Sequence, residues 1–230
     1  MINLLYDAVQ IATNHKQMGK LSPSDFNKLV NKNILGLYSQ VFSNLRKLNY
    51  RKMKFQDTPN YGDEAQYLKQ AQEYYITEKV ITFNEAKCTI ANQVSDYFLF
   101  NSMYSDKANI DKVDLLQFNQ IEKLLDFSTT TCTPICTLNN GIIKVSPSDI
   151  INATLVYFRT PKQAKYTFDV VGEREVFNPS KADFQDVDIH QIMFEALYIE
   201  MLSDYGINLK DEFAIQGATL LKQEEQVNKQ

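Results

Sequence analysis

The stretch over residues 134–161 limits the possible folds of this chain more than any other. It holds two apolar, β-rich runs, residues 142–145 and 153–159, separated by the turn-forming cluster Ser146-Pro147-Ser148-Asp149. The second run ends at Pro161, which lacks an N–H and pushes the residue before it into an extended conformation. We therefore expect strand structure in this region.

A tight hairpin is predicted at the start of the same stretch. Residues 134–138 meet residues 142–145 across Asn139-Asn140-Gly141. An Asn-Gly pair supplies the positive φ angles that a two-residue β-turn requires. The centre of the chain is therefore interpreted as a small antiparallel sheet.

Helical periodicity dominates the first 75 residues. Apolar residues spaced by three and four over residues 4–12 predict a first helix that ends near Gly19. Ser22-Pro23 and Asp25 form a strong helix start, since Ser accepts hydrogen bonds from free N–H groups and Pro suits the first turn. This second helix is expected to reach Arg46 or Leu48. A third, more polar helix is predicted over residues 63–75.

The periodicity changes to alternation after Thr77. The segments assigned from the pattern are strands over residues 80–83, 97–100 and 111–116, and a helix over residues 117–127.

The C-terminal part is predicted to be helical again after a polar loop over residues 171–186. Asp186 or Asp188 is expected to cap an apolar helix, residues 189–202, which would end where Gly206 takes the left-handed conformation. A final, increasingly polar helix is predicted over residues 211–227.

The predicted fold class is α+β, with an N-terminal helical hairpin and C-terminal helices flanking a small antiparallel β-rich middle. The predicted regions are 1–78 (helical), 79–170 (β-rich) and 171–230 (helical). We expect the first and third regions to form one compact unit.

The charge distribution argues against nucleic-acid binding. The net charge is −4, and no block of five like charges occurs. A basic cluster over residues 46–54 is interpreted as a solvated helix end, where cations complement the helix dipole; a contact with nucleic acid or an acidic partner is the alternative. We therefore expect no sequence-specific nucleic-acid binding.

The sequence also predicts a protein that stays in the cytoplasm where it is made. The first residues lack the features of a signal peptide, and no window has the roughly 18 to 20 apolar residues of a membrane span, so no membrane partner is expected. The three cysteines are Cys88, Cys132 and Cys136. Free thiols are favoured over a zinc site, because Cys132 and Cys136 lack a second ligand pair.

Catalytic motifs are absent from the sequence. It contains no Gly-rich phosphate loop, no Gly-x-Ser-x-Gly and no His-Glu-x-x-His, and its two histidines, His15 and His190, lie in different helical regions. His190 is interpreted as a capping or interface residue. We expect neither an enzyme nor a bound cofactor or metal.

Several short motifs carry a resemblance that runs along much of the chain. Ile-Ile-Lys-Val-Ser-Pro at residues 142–147 precedes Leu-Val-Tyr-Phe-Arg-Thr-Pro at residues 155–161, and Phe184 follows. Tyr-Gly-Ile-Asn-Leu-Lys-Asp at residues 205–211 leads to the Gln/Glu-rich end, and Gly-Lys-Leu-Ser-Pro-Ser-Asp-Phe-Asn opens the second helix at residues 19–27. This pattern resembles virion structural proteins of tailed phages that infect Bacteroidetes, including crAss-like phages. Where that pattern often has Trp after the last Pro, this chain has Lys165-Tyr166, and it contains no Trp.

The resemblance implies a head-to-tail connector or ring protein at the portal vertex of the virion. The expected partners are further copies of the same chain in a ring, the portal protein and other neck or tail ring proteins. The alternative is a cytoplasmic assembly factor or adaptor that is absent from the particle. The candidate subunit interface comprises apolar residues of the C-terminal helices: Ile189, Ile192, Met193, Leu197, Leu220 and Leu221.

Overall fold

The computed structural model describes residues 1–15, 21–53, 61–106, 108–123, 129–130, 132–172 and 174–208. Its helices are α1 (Ile2–His15), α2 (Pro23–Met53), α3 (Tyr61–Glu73), α4 (Ile90–Gln93), α5 (Leu115–Lys123) and α6 (Phe194–Asn208). Its strands are β1 (Ile76–Thr82), β2 (Lys87–Thr89), β3 (Tyr97–Tyr104), β4 (Asp111–Lys112), β5 (Ile135–Asn139), β6 (Ile142–Ser146), β7 (Asn152–Arg159), β8 (Phe168–Val171) and β9 (Arg174–Phe177). The predicted α+β class, with terminal helices flanking a β-rich middle, is confirmed.

The chain divides into two compact units. The helical unit combines Met1–Tyr74 with the chain from Pro161 onward, and the β-rich unit is Tyr75–Thr160. The sequence had placed these boundaries at 78/79 and 170/171. The difference arises because β1 begins at Ile76 and because residues 161–167, although extended, pack on α2 through side-chain hydrogen bonds.

The helical unit is organised around α2, which begins as its sequence predicts. Ser22 Oγ accepts from the Asp25 N–H at 3.2 Å, and the Phe26 N–H donates to the Ser22 carbonyl at 2.9 Å. The helix continues to Met53, beyond the predicted end. Its apolar stripe enters a core shared with α1, α3 and α6: Phe26, Val30, Ile34, Leu37 and Val41.

Three aromatic rings lie at the centre of this core. Tyr6 of α1 stacks on Tyr166 with ring centroids 4.4 Å apart, and its edge meets Phe26 of α2 at 5.0 Å. Aromatic pairs in these arrangements are more stable than their buried area alone would give. Residue 166 is therefore a structural anchor of the helical unit.

The β-rich unit contains two sheets, with strand orders β1-β7-β3 and β2-β6-β5-β4. The predicted hairpin is confirmed as β5 and β6, which are joined by Asn140 (φ 49°) and Gly141 (φ 75°). The expectation of a single small central sheet is wrong, because β6 and β7 belong to different sheets. β7 is buried on both faces at residues 155–158, as suits a central strand, and its neighbours β1 and β3 are far away in sequence.

Two further assignments are corrected at the C-terminal side. The predicted polar loop includes the turn and second strand of the β8–β9 hairpin, and the turn contains Gly172 with φ 53°. The apolar helix starts at Phe194, after a 3-10 turn over Gln191–Met193, and it includes Gly206. Gly206 therefore does not terminate the helix in a left-handed conformation. The predicted helix over residues 211–227 lies outside the described residues.

Candidate functional site

Two asparagines on one face of α2 hold an extended segment of the same chain. Asn31 Oδ1 accepts from the Ala164 N–H and Asn31 Nδ2 donates to the Ala164 carbonyl, both at 2.8 Å. Asn27 makes the same pair with Tyr166, at 2.7 and 3.2 Å. Residues four apart on a helix rise about 6 Å, close to the roughly 6.6 Å between alternate residues of a strand. The two amides therefore act as a short strand edge.

The opposite edge of this segment is hydrogen-bonded as well. The Lys165 N–H donates to the Gln185 carbonyl at 2.8 Å, and the Gln185 N–H returns a bond to the Lys165 carbonyl at 3.3 Å. Ala164 and Tyr166 are buried, with 2% and 4% of their residue surface exposed. Sequence reasoning missed this arrangement, although two Asn residues four apart inside a helix, where Asn is unfavourable, are a usable signal.

Asp188 is hydrogen-bonded to both residues near the ends of the two parts of the helical unit, Tyr74 and Lys162. Its carboxylate accepts from the Tyr74 hydroxyl at 3.1 Å and from the Lys162 N–H at 2.7 Å. The side chain is buried, so these hydrogen bonds replace water that the carboxylate has lost. Asp188 thus has a structural role and does not cap α6, as one of the two predicted alternatives required.

Asp186 does not cap α6 either, which was the other predicted alternative; its carboxylate binds the start of α1. One carboxylate oxygen accepts from the Ile2 N–H at 2.7 Å and from the Val187 N–H at 2.8 Å, and the other accepts from the Met1 nitrogen at 2.9 Å. Burial raises the pKa of this carboxyl, but these hydrogen bonds lower it by more, so the net pKa lies below its ordinary value. Asp186 caps the start of α1.

The 3-10 turn that precedes α6 is capped by His190, in agreement with its predicted capping role. His190 Nδ1 accepts from the Ile192 N–H at 3.3 Å, and its ring meets Tyr74 edge-on at 5.8 Å. His15 closes α1, and its side chain is outside the described part of the chain. His190 therefore has a local structural role, as the N-cap of the 3-10 turn.

Burial distinguishes the three thiols of the chain. Cys88 and Cys136 are buried in the β-rich unit, whereas Cys132 is exposed. Burial raises the pKa of Cys88, and it raises the pKa of Cys136 to about 12, so the reactive thiolate is disfavoured at both. Among the described residues, no group of three or more His, Cys, Asp or Glu side chains could hold a metal ion.

A groove of about 660 Å³ lies between the start of α2 and β8 in the helical unit. Its lysines are already paired with acids: Lys165 with Asp183, and Lys181 with Asp169 at 2.8 Å. The hydrogen bonds from these lysines lower the pKa of both exposed carboxyls. An anionic ligand would have to displace these carboxylates, so the groove is not a strong anion site.

The candidate interface residues fall into two groups. Ile189, Met193 and Leu197 are buried in the core of the helical unit and offer little surface to a neighbour, while Ile192 is half-buried. Leu220 and Leu221 lie outside the described residues. The interface itself remains a prediction.

Other large apolar side chains are considerably exposed. In the helical unit they include Leu4 and Ile11 of α1, Leu35 on α2, and Val170, Val171 and Val176 on the β8–β9 hairpin. In the β-rich unit they include Val80, Leu116 and Ile151, with exposures of 64%, 77% and 65%. Scattered exposed residues are common in monomers, so none of them alone defines an interface.

The two edge strands of the β1-β7-β3 sheet, β1 and β3, carry features that hinder pairing with another sheet. On β1, the Thr82 N–H donates to Gln93 Oε1 at 2.9 Å, and Gln93 Nε2 donates to the Thr82 carbonyl at 2.7 Å. These backbone groups are therefore already hydrogen-bonded. Lys79, opposite Leu155 in the register, is exposed, so this edge strand carries a charge. β3 is interrupted by two register shifts. Charged side chains on an edge strand and irregularities in its register are devices by which natural sheets avoid edge-to-edge association.

None of the described helices is long and apolar enough to cross a membrane. Comparison with known proteins gives no assignment: no protein-family model matches the chain, and no curated protein matches it either.

Proposed function

We propose that this chain is a structural subunit of a tailed-phage virion, a head-to-tail connector or ring protein that assembles at the portal vertex through protein–protein contacts. The observation that carries the proposal is the residue pattern of residues 142–147 and 155–161, together with the entry to α2 and the end of α6. The proposed role involves neither catalysis nor a cofactor.

The positions of the pattern residues support this proposal. Val145 and Leu155 are buried in the β-rich unit, while Phe26 is buried in the helical core and Phe184 packs against it. Pro161 stands at the boundary between the units. These residues of the pattern belong to the framework of the fold, which is consistent with a resemblance between structural proteins.

Because the edge strands β1 and β3 hinder pairing with another sheet, assembly through helix surfaces is favoured over assembly through strand addition. A ring of identical subunits needs two different, complementary surfaces on each copy. In this proposal, the C-terminal residues Leu220 and Leu221 and the half-buried Ile192 supply one of them. The exposed apolar positions of α1 and α2, such as Leu4, Ile11 and Leu35, are available for the other.

Mass spectrometry of purified particles tests the proposal directly. The chain should be present at a fixed multiple copy number per virion, and a purified sample should yield closed rings by native mass spectrometry. Detection in infected lysate but never in particles would overturn the virion assignment and favour a cytoplasmic assembly factor or adaptor.

The interface is tested separately with paired substitutions. Leu220→Asp together with Leu221→Asp should prevent ring formation without lowering the melting temperature of the monomer. The matched control is Leu116→Asp, since that side chain is 77% exposed on α5 in the β-rich unit. If both variants form rings as the wild type does, the C-terminal residues are not part of the interface.

A further inference from the structure

We propose that Asn140 is a site of spontaneous modification, at which its amide is lost and the β5–β6 hairpin is altered. Three observations support this: the residue is followed by glycine, both turn residues are exposed, and nothing lies within 4 Å of the space beside Gly141. The turn is therefore open on this side, and glycine brings no side chain of its own to hinder attack by its nitrogen on the Asn140 side-chain carbonyl.

The chemistry needs only water and the two residues. The Gly141 nitrogen loses its proton and forms a bond to Cγ of Asn140, and ammonia leaves with that proton. Water then opens the five-membered imide. Attack at Cγ gives aspartate, whereas attack at the backbone carbonyl of residue 140 gives isoaspartate, in which the main chain runs through the side chain. The net change is an amide replaced by an acid, a gain of about 1 Da.

The structural consequence follows from the shortness of the turn. Two residues connect β5 and β6, and Asn139 pairs directly with Ile142. Isoaspartate inserts one more backbone carbon into this loop, so the closing pair cannot keep its register. The Gly141 carbonyl also accepts from the Ile90 N–H at 2.9 Å, where α4 begins. Formation of isoaspartate is therefore expected to release the Ile90 amide as well as the turn.

The test follows the intact protein at pH 8 and 37 °C by mass spectrometry and peptide mapping. The peptide containing residues 140–141 should be the first asparagine peptide to gain mass, faster at higher pH, with isoaspartate among the products. Hydrogen exchange at the Ile90 amide should rise in the modified fraction. The matched control is Asn140→Gly, which tolerates positive φ and has no Cγ to attack; it should show neither change.

Two outcomes would overturn the proposal. One is modification of another asparagine in the folded protein while residue 140 stays intact. The other is modification of residue 140 only after unfolding in urea, which would mean that the turn protects the bond. Neither result depends on whether the chain forms rings.

Discussion

The side-chain amide of Asn31 and the backbone of Ala164 form a closed pair of hydrogen bonds, each 2.8 Å long, between helix α2 and an extended segment 133 residues later. The Asn31 amide therefore provides the hydrogen bonds that a neighbouring strand would otherwise provide to the backbone N–H and C=O of Ala164. The same geometry recurs one step along at Asn27 and Tyr166. These contacts join the two parts of the sequence from which the helical unit is built.

Asn31→Leu should destabilise the helical unit. The substitution keeps the number and branching of the side-chain heavy atoms but leaves the N–H and C=O of the buried Ala164 without the amide partner, at a cost of about 1–3 kcal/mol. The measurement is denaturant unfolding, with Gln40→Leu at an exposed position of the same helix as the control. A loss no larger than that of the control would show that water replaces the amide.

Asp186→Asn should lower stability at neutral pH and have no effect in strong acid. The pKa of Asp186 is depressed in the folded chain, so its contribution is present above the unfolded pKa and is lost as pH falls through the folded pKa. The free energies of unfolding of variant and wild type, measured from pH 7 downward, should therefore converge in acid. A constant difference across the range would assign the effect to the change of side chain and not to its charge.

Lys79→Val should promote association. Lys79 is an exposed charge on the edge strand β1, and its replacement places a second exposed β-branched apolar side chain beside Val80 on that edge. Light scattering at increasing concentration measures the effect. Lys123→Val, exposed on α5, adds the same apolar side chain away from any edge. Equal scattering from the two variants would mean that the edge is already protected without Lys79.

The purified protein should not bind duplex DNA at physiological salt. The net charge is −4, and in the proposed connector role a channel wall that bound phosphates tightly would hinder passage of the genome. The measurement is fluorescence anisotropy with a labelled duplex. Micromolar binding that disappears when the basic residues of the 46–54 cluster are neutralised would contradict this prediction and favour the nucleic-acid alternative; those residues are Arg46, Lys47, Arg51, Lys52 and Lys54.

Local signals in the sequence determined the start of α2, the β5–β6 hairpin and the end of β7 before Pro161. Ser22-Pro23, Asn140-Gly141 and Pro161 each act on the backbone of their immediate neighbours, so no knowledge of distant residues is needed. Periodicity was sufficient for the α+β class because one buried face imposes its spacing on each helix and strand. The motifs also supported the proposed virion role.

Only the tertiary structure decided which distant segments pair. β7 lies between β1 and β3 and not beside β6, although β6 is nearer in sequence, and residues 155–158 of this central strand are buried on both faces. Asp186 and Asp188 looked like caps of the helix that follows them, yet their carboxylates bind Ile2, Tyr74 and Lys162. A short acidic side chain satisfies whichever N–H or O–H group the packed chain brings within reach, and the sequence near it does not contain that information.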